Sequence, residues 1–150
     1  MRKLASTLLA GAVVSLVVVA FAPAAARESY KVSATLNGKA EVPAAKSAAA
    51  AHGLFTGVYK ENKTGAVLTW KLTFSRLTGS ATGAHIHGGK PGVAGPVVVP
   101  LCGPCHSGQS GTVKISKAVT AKLEGGRAYV NVHTAKNAAG EIRGQVKVTG

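Results

Sequence analysis

Leu68, Trp70, Leu72 and Phe74 alternate with Thr69, Lys71 and Thr73, a strict period of two that suits a β-strand with one buried face and no amphipathic helix. The pattern recurs. Tyr30–Leu36 sets Tyr30, Val32, Ala34 and Leu36 against Lys31, Ser33 and Thr35, and His52–Lys60 gives a second strand, joined to the Trp70 strand by the hairpin residues 61–65 (ENKTG). Further short strands are expected at the His85 segment, Val97–Leu101, Gly111–Ser116, Ala128–Thr134 and Ile142–Val148. Asn37-Gly38 marks a turn, Glu41–Pro43 reads as a short edge piece, and Ala44–Ala51 as a loop or one helical turn. Lys117–Leu123 is the one short helix, with Ser116 as N-cap and Gly125 just past its end. Seven or eight short strands with a single helix predict an all-β fold, an antiparallel β-sandwich or a partly closed Greek-key barrel. An α/β fold is disfavoured, because parallel strands need long helical crossovers.

The N-terminus bears on compartment. Arg2 and Lys3 precede an apolar run from Leu8 to Phe21, and Ala24-Ala25-Ala26 follows, the layout of a secretory signal peptide over 1–26. The mature chain would be 27–150, a single domain in the periplasm or outside the cell. The run is shorter than the roughly 20 apolar residues that span a bilayer, and Pro23 interrupts it, so no transmembrane segment is expected in the mature chain.

Charge limits the partners. The chain has 18 Lys and Arg against 5 acidic residues, a net +13. The basic residues are spread from Arg27 to Lys147 without a run, which argues against a specific nucleic-acid stripe and for diffuse attraction to an anionic surface or polymer. Arg76, Arg127 and Arg143 read as solvated or ion-paired surface residues.

The candidate site lies in Gly83–Leu101, GAHIHGGKPGVAGPVVVPL. In a strand, His85 and His87 project together while Ile86 points the other way. The glycines and prolines that follow suit a tightly turned loop beside a site. In Ala128–Thr134 the valines face the core, leaving Tyr129, Asn131 and His133 on a polar face. If the two strands are neighbours, His133 meets the His85/His87 pair. Three imidazoles form a reasonable ligand set for copper or zinc, with Glu141 or His52 completing or orienting it. The competing reading is that these histidines bind backbone carbonyls and pin the glycine loop. No paired acid and base accompany the cluster, so an enzymatic role is not expected.

Cys102-Gly103-Pro104-Cys105-His106 admits four readings, one of them a metal held at both sulfurs. An exported protein can staple the turn with a Cys102–Cys105 disulfide. C-x-x-C-H is also the attachment pattern of c-type haem, with His106 as proximal ligand, and C-x-x-C can be a redox pair. Each remains open from the spacing alone.

Residues 84–88 (AHIHG), the GPVVVPL that follows, residues 129–134 (YVNVHT) and 140–145 (GEIRGQ) together resemble the CHRD domain, first described as a repeat in chordin and also found singly in exported bacterial proteins. Leu36-Asn37-Gly38 with Glu41-Val42-Pro43 fits the same pattern, so the likeness runs from Tyr30 to Val148. It implies an all-β extracellular module with its motif histidines at His85, His87 and His133. The expectation is a secreted or periplasmic binding or structural module, with an unidentified envelope partner and a histidine site for copper or zinc. The alternative is an exported redox protein, with copper at that cluster or haem at Cys102, Cys105 and His106.

Overall fold

The computed structural model describes residues 28–150. The expected signal peptide, 1–26, lies outside the described residues. In chain order the described residues form β1 (Ser29–Asn37), β2 (His52–Asn62), β3 (Gly65–Ser75), β4 (Ala81–Gly88), β5 (Val97–Cys102), β6 (Gln109–Ser116), α1 (Lys117–Glu124), β7 (Ala128–Thr134), β8 (Ile142–Gln145) and β9 (Lys147–Thr149). Every strand pair is antiparallel, in the order β5-β4-β7-β8-β1-β2-β3-β6 with β9 also beside β1. The sheet curls until its end strands β5 and β6 approach each other, a nearly closed barrel with one helix.

Period-two side chains fill the interior as their spacing requires. Val32, Ala34 and Leu36 enter from β1, Phe55 and Tyr59 from β2, Leu68, Trp70 and Leu72 from β3, Ile86 from β4, and Val130 and Val132 from β7. Trp70 is 4% exposed and lies against Gly111, where a Cβ would come within 2.8 Å of the indole. Truncating such a buried aromatic costs about 3–5 kcal/mol.

Three local expectations need correction. The segment 142–148 is two strands, because Val146 turns inward and donates its N–H to the carbonyl of Ala128. β8 therefore pairs with β7 while β9 pairs with β1. Glu41–Pro43 forms no edge strand: Glu41 is buried and the chain bends there. The face of β7 that carries His133 is covered as well, with Tyr129 3% and Asn131 1% exposed. Elsewhere the expected turns hold. The Asn37 side chain accepts the Ala40 N–H at the start of a 3-10 turn, and Ala44–Ala51 contains one more such turn. Among the described residues, no helix is long and apolar enough to cross a membrane.

Candidate metal centre

β4 lies between β5 and β7, and its register with β7 sets Gly83 opposite His133, His85 opposite Asn131 and His87 opposite Tyr129. β8 extends these rows, placing Arg143 opposite Asn131 and Gln145 opposite Tyr129. Residues directly opposite share a face. One face of three strands thus gathers the histidines with Tyr129, Asn131, Arg143 and Gln145, while Ile86, Val130, Val132 and Ile142 pack the core from the other.

The three imidazoles meet. Ring centroids are 5.0 Å apart for His85 and His133, 5.7 Å for His85 and His87, and 6.0 Å for His87 and His133. One ring nitrogen from each lies within 4.8 Å of the others. Nitrogens on one tetrahedral zinc stand about 3.3 Å apart at bond lengths of about 2.05 Å, so modest ring rotations bring them into ligand geometry.

Hydrogen bonds assign the tautomers. His87 Nδ1 lies 2.8 Å from the Gly95 carbonyl oxygen and His133 Nδ1 lies 3.0 Å from that of Ala138. A carbonyl only accepts, so both Nδ1 atoms carry protons, and in a neutral ring the Nε2 atom then presents a bare lone pair. The His87 Nε2 is buried without a partner. The His133 Nε2 is 3.0 Å from His85 Nδ1, which donates to it. Metal-binding histidines are commonly oriented in this way, with the far nitrogen donating to a carbonyl. The carbonyl contacts do pin the loop, as the competing reading expected. They use the nitrogens that a metal would not.

Burial, followed by the nearby His133 and His87, holds His85 below the ordinary imidazole pKa. Burial also lowers His133, helped by His87 and opposed by its bond to Ala138. Both rings are therefore neutral, as ligands must be, over a wider pH range than a free imidazole. A cleft of about 300 Å³ reaches His85 and His133 between Gly83, Cys102 and Ala138. At Gly83 a Cβ would lie 3.4 Å from the His85 ring, so a larger side chain would crowd it.

The loop after β4 closes over the site. Gly88 donates to the Pro96 carbonyl at 3.0 Å, and a Cβ on Gly95 would fall 1.7 Å from the Gly88 oxygen. Tyr129 stacks on His87 with centroids 5.0 Å apart, and its hydroxyl accepts the Gly95 N–H at 3.1 Å. Arg143, expected at the surface, is 2% exposed. It lies 3.4 Å over the Tyr129 ring and donates to the Lys90 and Val93 carbonyls at 3.1 and 2.9 Å. Gln145 ties Gly89 to Gly126 through both carbonyls. Sequence reasoning missed these roles for Arg143 and Gln145, although both fall in the GEIRGQ block that carries the family resemblance.

The two expected supporting ligands are engaged elsewhere. His52, on β2, is exposed, with its ring nitrogens 3.2 Å from the Ala50 carbonyl and 2.9 Å from Ser75 Oγ. Glu141 accepts from the Thr78 N–H and hydroxyl, the Thr134 hydroxyl and the Asn137 amide. Since Thr134 points away from the His133 face, Glu141 secures the opposite side of β7. Burial would raise its pKa, but these hydrogen bonds outweigh burial and hold it below the ordinary value.

A second buried carboxyl escaped sequence reading. Glu41 is 7% exposed, and burial pushes its pKa up to about 7 against the opposing pull of Arg143. Its Oε1 and the Asn131 Oδ1 are both buried without a partner. A Cβ on Gly140 would fall 2.5 Å from this carboxylate.

Cys102 and Cys105 hold their sulfur atoms at disulfide distance, with Cα atoms 5.4 Å apart. The Cys105 N–H donates to Ala81 and joins this turn to the start of β4. His106 is exposed and is not part of the histidine cluster.

A family model described as the CHRD domain matches residues 32–146. Comparison with curated proteins and with solved structures returned no match.

Proposed function

Because the chain belongs to the CHRD domain family, whose β domain suggests a binding or structural module, we propose that it is an exported module of that kind holding one copper or zinc ion at His85, His87 and His133. The observation that supports this most is the bare, buried Nε2 of His87, facing two further imidazoles while its Nδ1 is held by Gly95. An unpartnered buried polar atom is costly, and a metal would satisfy it. Binding would replace the hydrogen bond between His85 and His133, with the His85 proton moving to the ring nitrogen that is not coordinated. Three imidazoles leave a position free on the metal, and among divalent ions such a set favours copper over zinc when both are available. Export rests on the apolar run and small-residue site before Arg27.

In this reading Cys102 and Cys105 are a disulfide staple at the rim of the cleft. Sulfurs joined to each other cannot also form the thioethers of a c-type haem. Elemental analysis and an absorption spectrum of protein exported with haem-maturation machinery present test both points. Near-stoichiometric copper or zinc without a Soret band is expected. A Soret band would make the chain an electron-transfer protein at Cys102, Cys105 and His106, and absence of bound metal would leave a module without a metal role.

A further inference from the structure

Five of the lysines share one face, a grouping that their even spacing in sequence conceals. β9, β1, β2, β3 and β6 form the side of the sheet remote from the histidine strands β4 and β7. Their register sets Lys147, Ser33, Thr56, Lys71 and Ser110 in one transverse row. The adjacent row carries Thr149, Lys31, Val58, Thr69 and Thr112, and Lys60 and Lys114 stand in the row beyond. All five lysines are exposed. Strands lie about 4.8 Å apart, so Lys71 and Lys147, three strands distant, are separated by about 14 Å with Lys31 set between them one row along.

No acidic side chain shares this face. The chain has 5 acidic residues, all glutamates, and each is placed elsewhere. Glu41 and Glu141 are buried. Glu28 and Glu124 accept from the hydroxyls of Tyr30 and Tyr59, which sit on the inward parity of β1 and β2, and Glu61 has the parity of Tyr59. Lysines on most surfaces are partly neutralised by neighbouring acids, whereas these five add their fields over a bed of hydroxyl groups. An open depression of about 600 Å³ occupies the middle of the face, lined by Lys31, Ser33, Thr56, Lys71 and Thr149 beside Val58, and also by Val32, Gly57 and Trp70.

We propose that this face binds a linear acidic polysaccharide, its carboxylates paired with the lysines, its hydroxyls with the serine and threonine rows, and a sugar ring laid on Val58. The chemistry favours this occupant over other polyanions. Single-stranded nucleic acid is held by aromatic platforms, and the one tryptophan is 4% exposed and turned inward. A bilayer surface calls for a contiguous apolar stripe, whereas Leu54 and Val58 are exposed singly among polar neighbours. The proposal is independent of the histidine site and survives its failure.

Calorimetric titration of the exported chain with polygalacturonate over a salt series tests it, with dextran, anionic phospholipid vesicles and single-stranded DNA as comparisons. The triple variant Lys31→Gln/Lys71→Gln/Lys147→Gln should bind polygalacturonate at least about tenfold more weakly. Lys39→Gln/Lys46→Gln/Lys136→Gln removes the same charge from exposed positions elsewhere and should change binding less than about twofold. Unchanged circular dichroism and urea midpoints establish that both variants fold. Equal losses in the two variants, equal binding of dextran, tighter binding of vesicles or DNA through the same three lysines, or no binding of polygalacturonate by the parent would each overturn the proposal.

Discussion

His87 Nδ1 lies 2.8 Å from the carbonyl oxygen of Gly95, and this hydrogen bond orients the imidazole while it holds down the glycine loop. The bond exists only because residue 95 has no side chain, since a Cβ would fall 1.7 Å from the Gly88 oxygen. Gly95→Ala should therefore destabilise the fold by about 2–4 kcal/mol, as a backbone displacement with a lost buried hydrogen bond does. Gly92→Ala is the control. Gly92 has φ of 75° but open space around it, so only the conformational penalty of about 1 kcal/mol applies. Urea denaturation of the two variants measures the difference.

The same loop is clamped from its far side by Arg143, whose Nη2 donates to two carbonyls while its guanidinium plane covers Tyr129. Lysine keeps the charge but not the planar guanidinium that covers Tyr129 while reaching both carbonyls. Arg143→Lys should cost about 2–3 kcal/mol and raise hydrogen exchange at Gly89 and Val93 while leaving β2 and β3 protected. Uniform exchange across the molecule would mean that Arg143 supports the whole fold and not this loop.

The fold was legible because strands with one buried face write their orientation as a period of two, and Leu68, Trp70, Leu72 and Phe74 state it without ambiguity. The meeting of His133 with His85 and His87 was also within reach, since it needed only alternation and adjacency of two strands. What stayed hidden depended on the loop. Period two correctly separated Tyr129, Asn131 and His133 from the valines, but it could not reveal that residues 88–96 fold back over that face and bury it. Arg143 looked like a surface charge for the same reason, as its partners are carbonyls that carry no sequence signature. Glu141 sits between a turn and a strand, where parity is undefined, and its threonine and asparagine partners come from separate segments.

Glu41 makes stability depend on pH. Its carboxyl titrates near 7 in the folded protein against about 4.5 for the ordinary group, so the charged form is the disfavoured one. Ionisation in the unfolded chain begins first, and stability falls as pH rises from about 4.5 and levels off above about 7. Glu41→Gln should remove this decline and raise stability at pH 8 by about 1–2 kcal/mol, with little change at pH 4. Chemical denaturation at the two values measures it.

Glu141 has the opposite sign. Hydrogen bonds hold its folded carboxyl below the ordinary value, so its contribution is complete above the usual carboxylate range and is lost as pH falls through the folded value. Glu141→Gln presents an amide where four donors converge, and should cost about 2–4 kcal/mol at neutral pH and less in acid. A loss equal at both pH values would mean that packing and not charge makes the site.

Metal affinity should resist mild acid. With His85 and His133 both lowered by burial, protons compete for their ring nitrogens only below the ordinary imidazole value of about 6.5. Zinc titrations should therefore show a smaller fall in affinity between pH 7 and pH 6 than free imidazole shows, with a steep fall at lower pH.

Calorimetric titration of copper(II) and zinc into metal-free protein at neutral pH, repeated on His85→Ala, His87→Ala, His133→Ala and His52→Ala, tests the three-imidazole site most directly. One equivalent should bind to the parent and to His52→Ala alike, because His52 is engaged by Ala50 and Ser75. Each of the other three variants should lose at least about tenfold in affinity. Failure of the parent to bind either metal, or unchanged affinity in His87→Ala, would contradict the account.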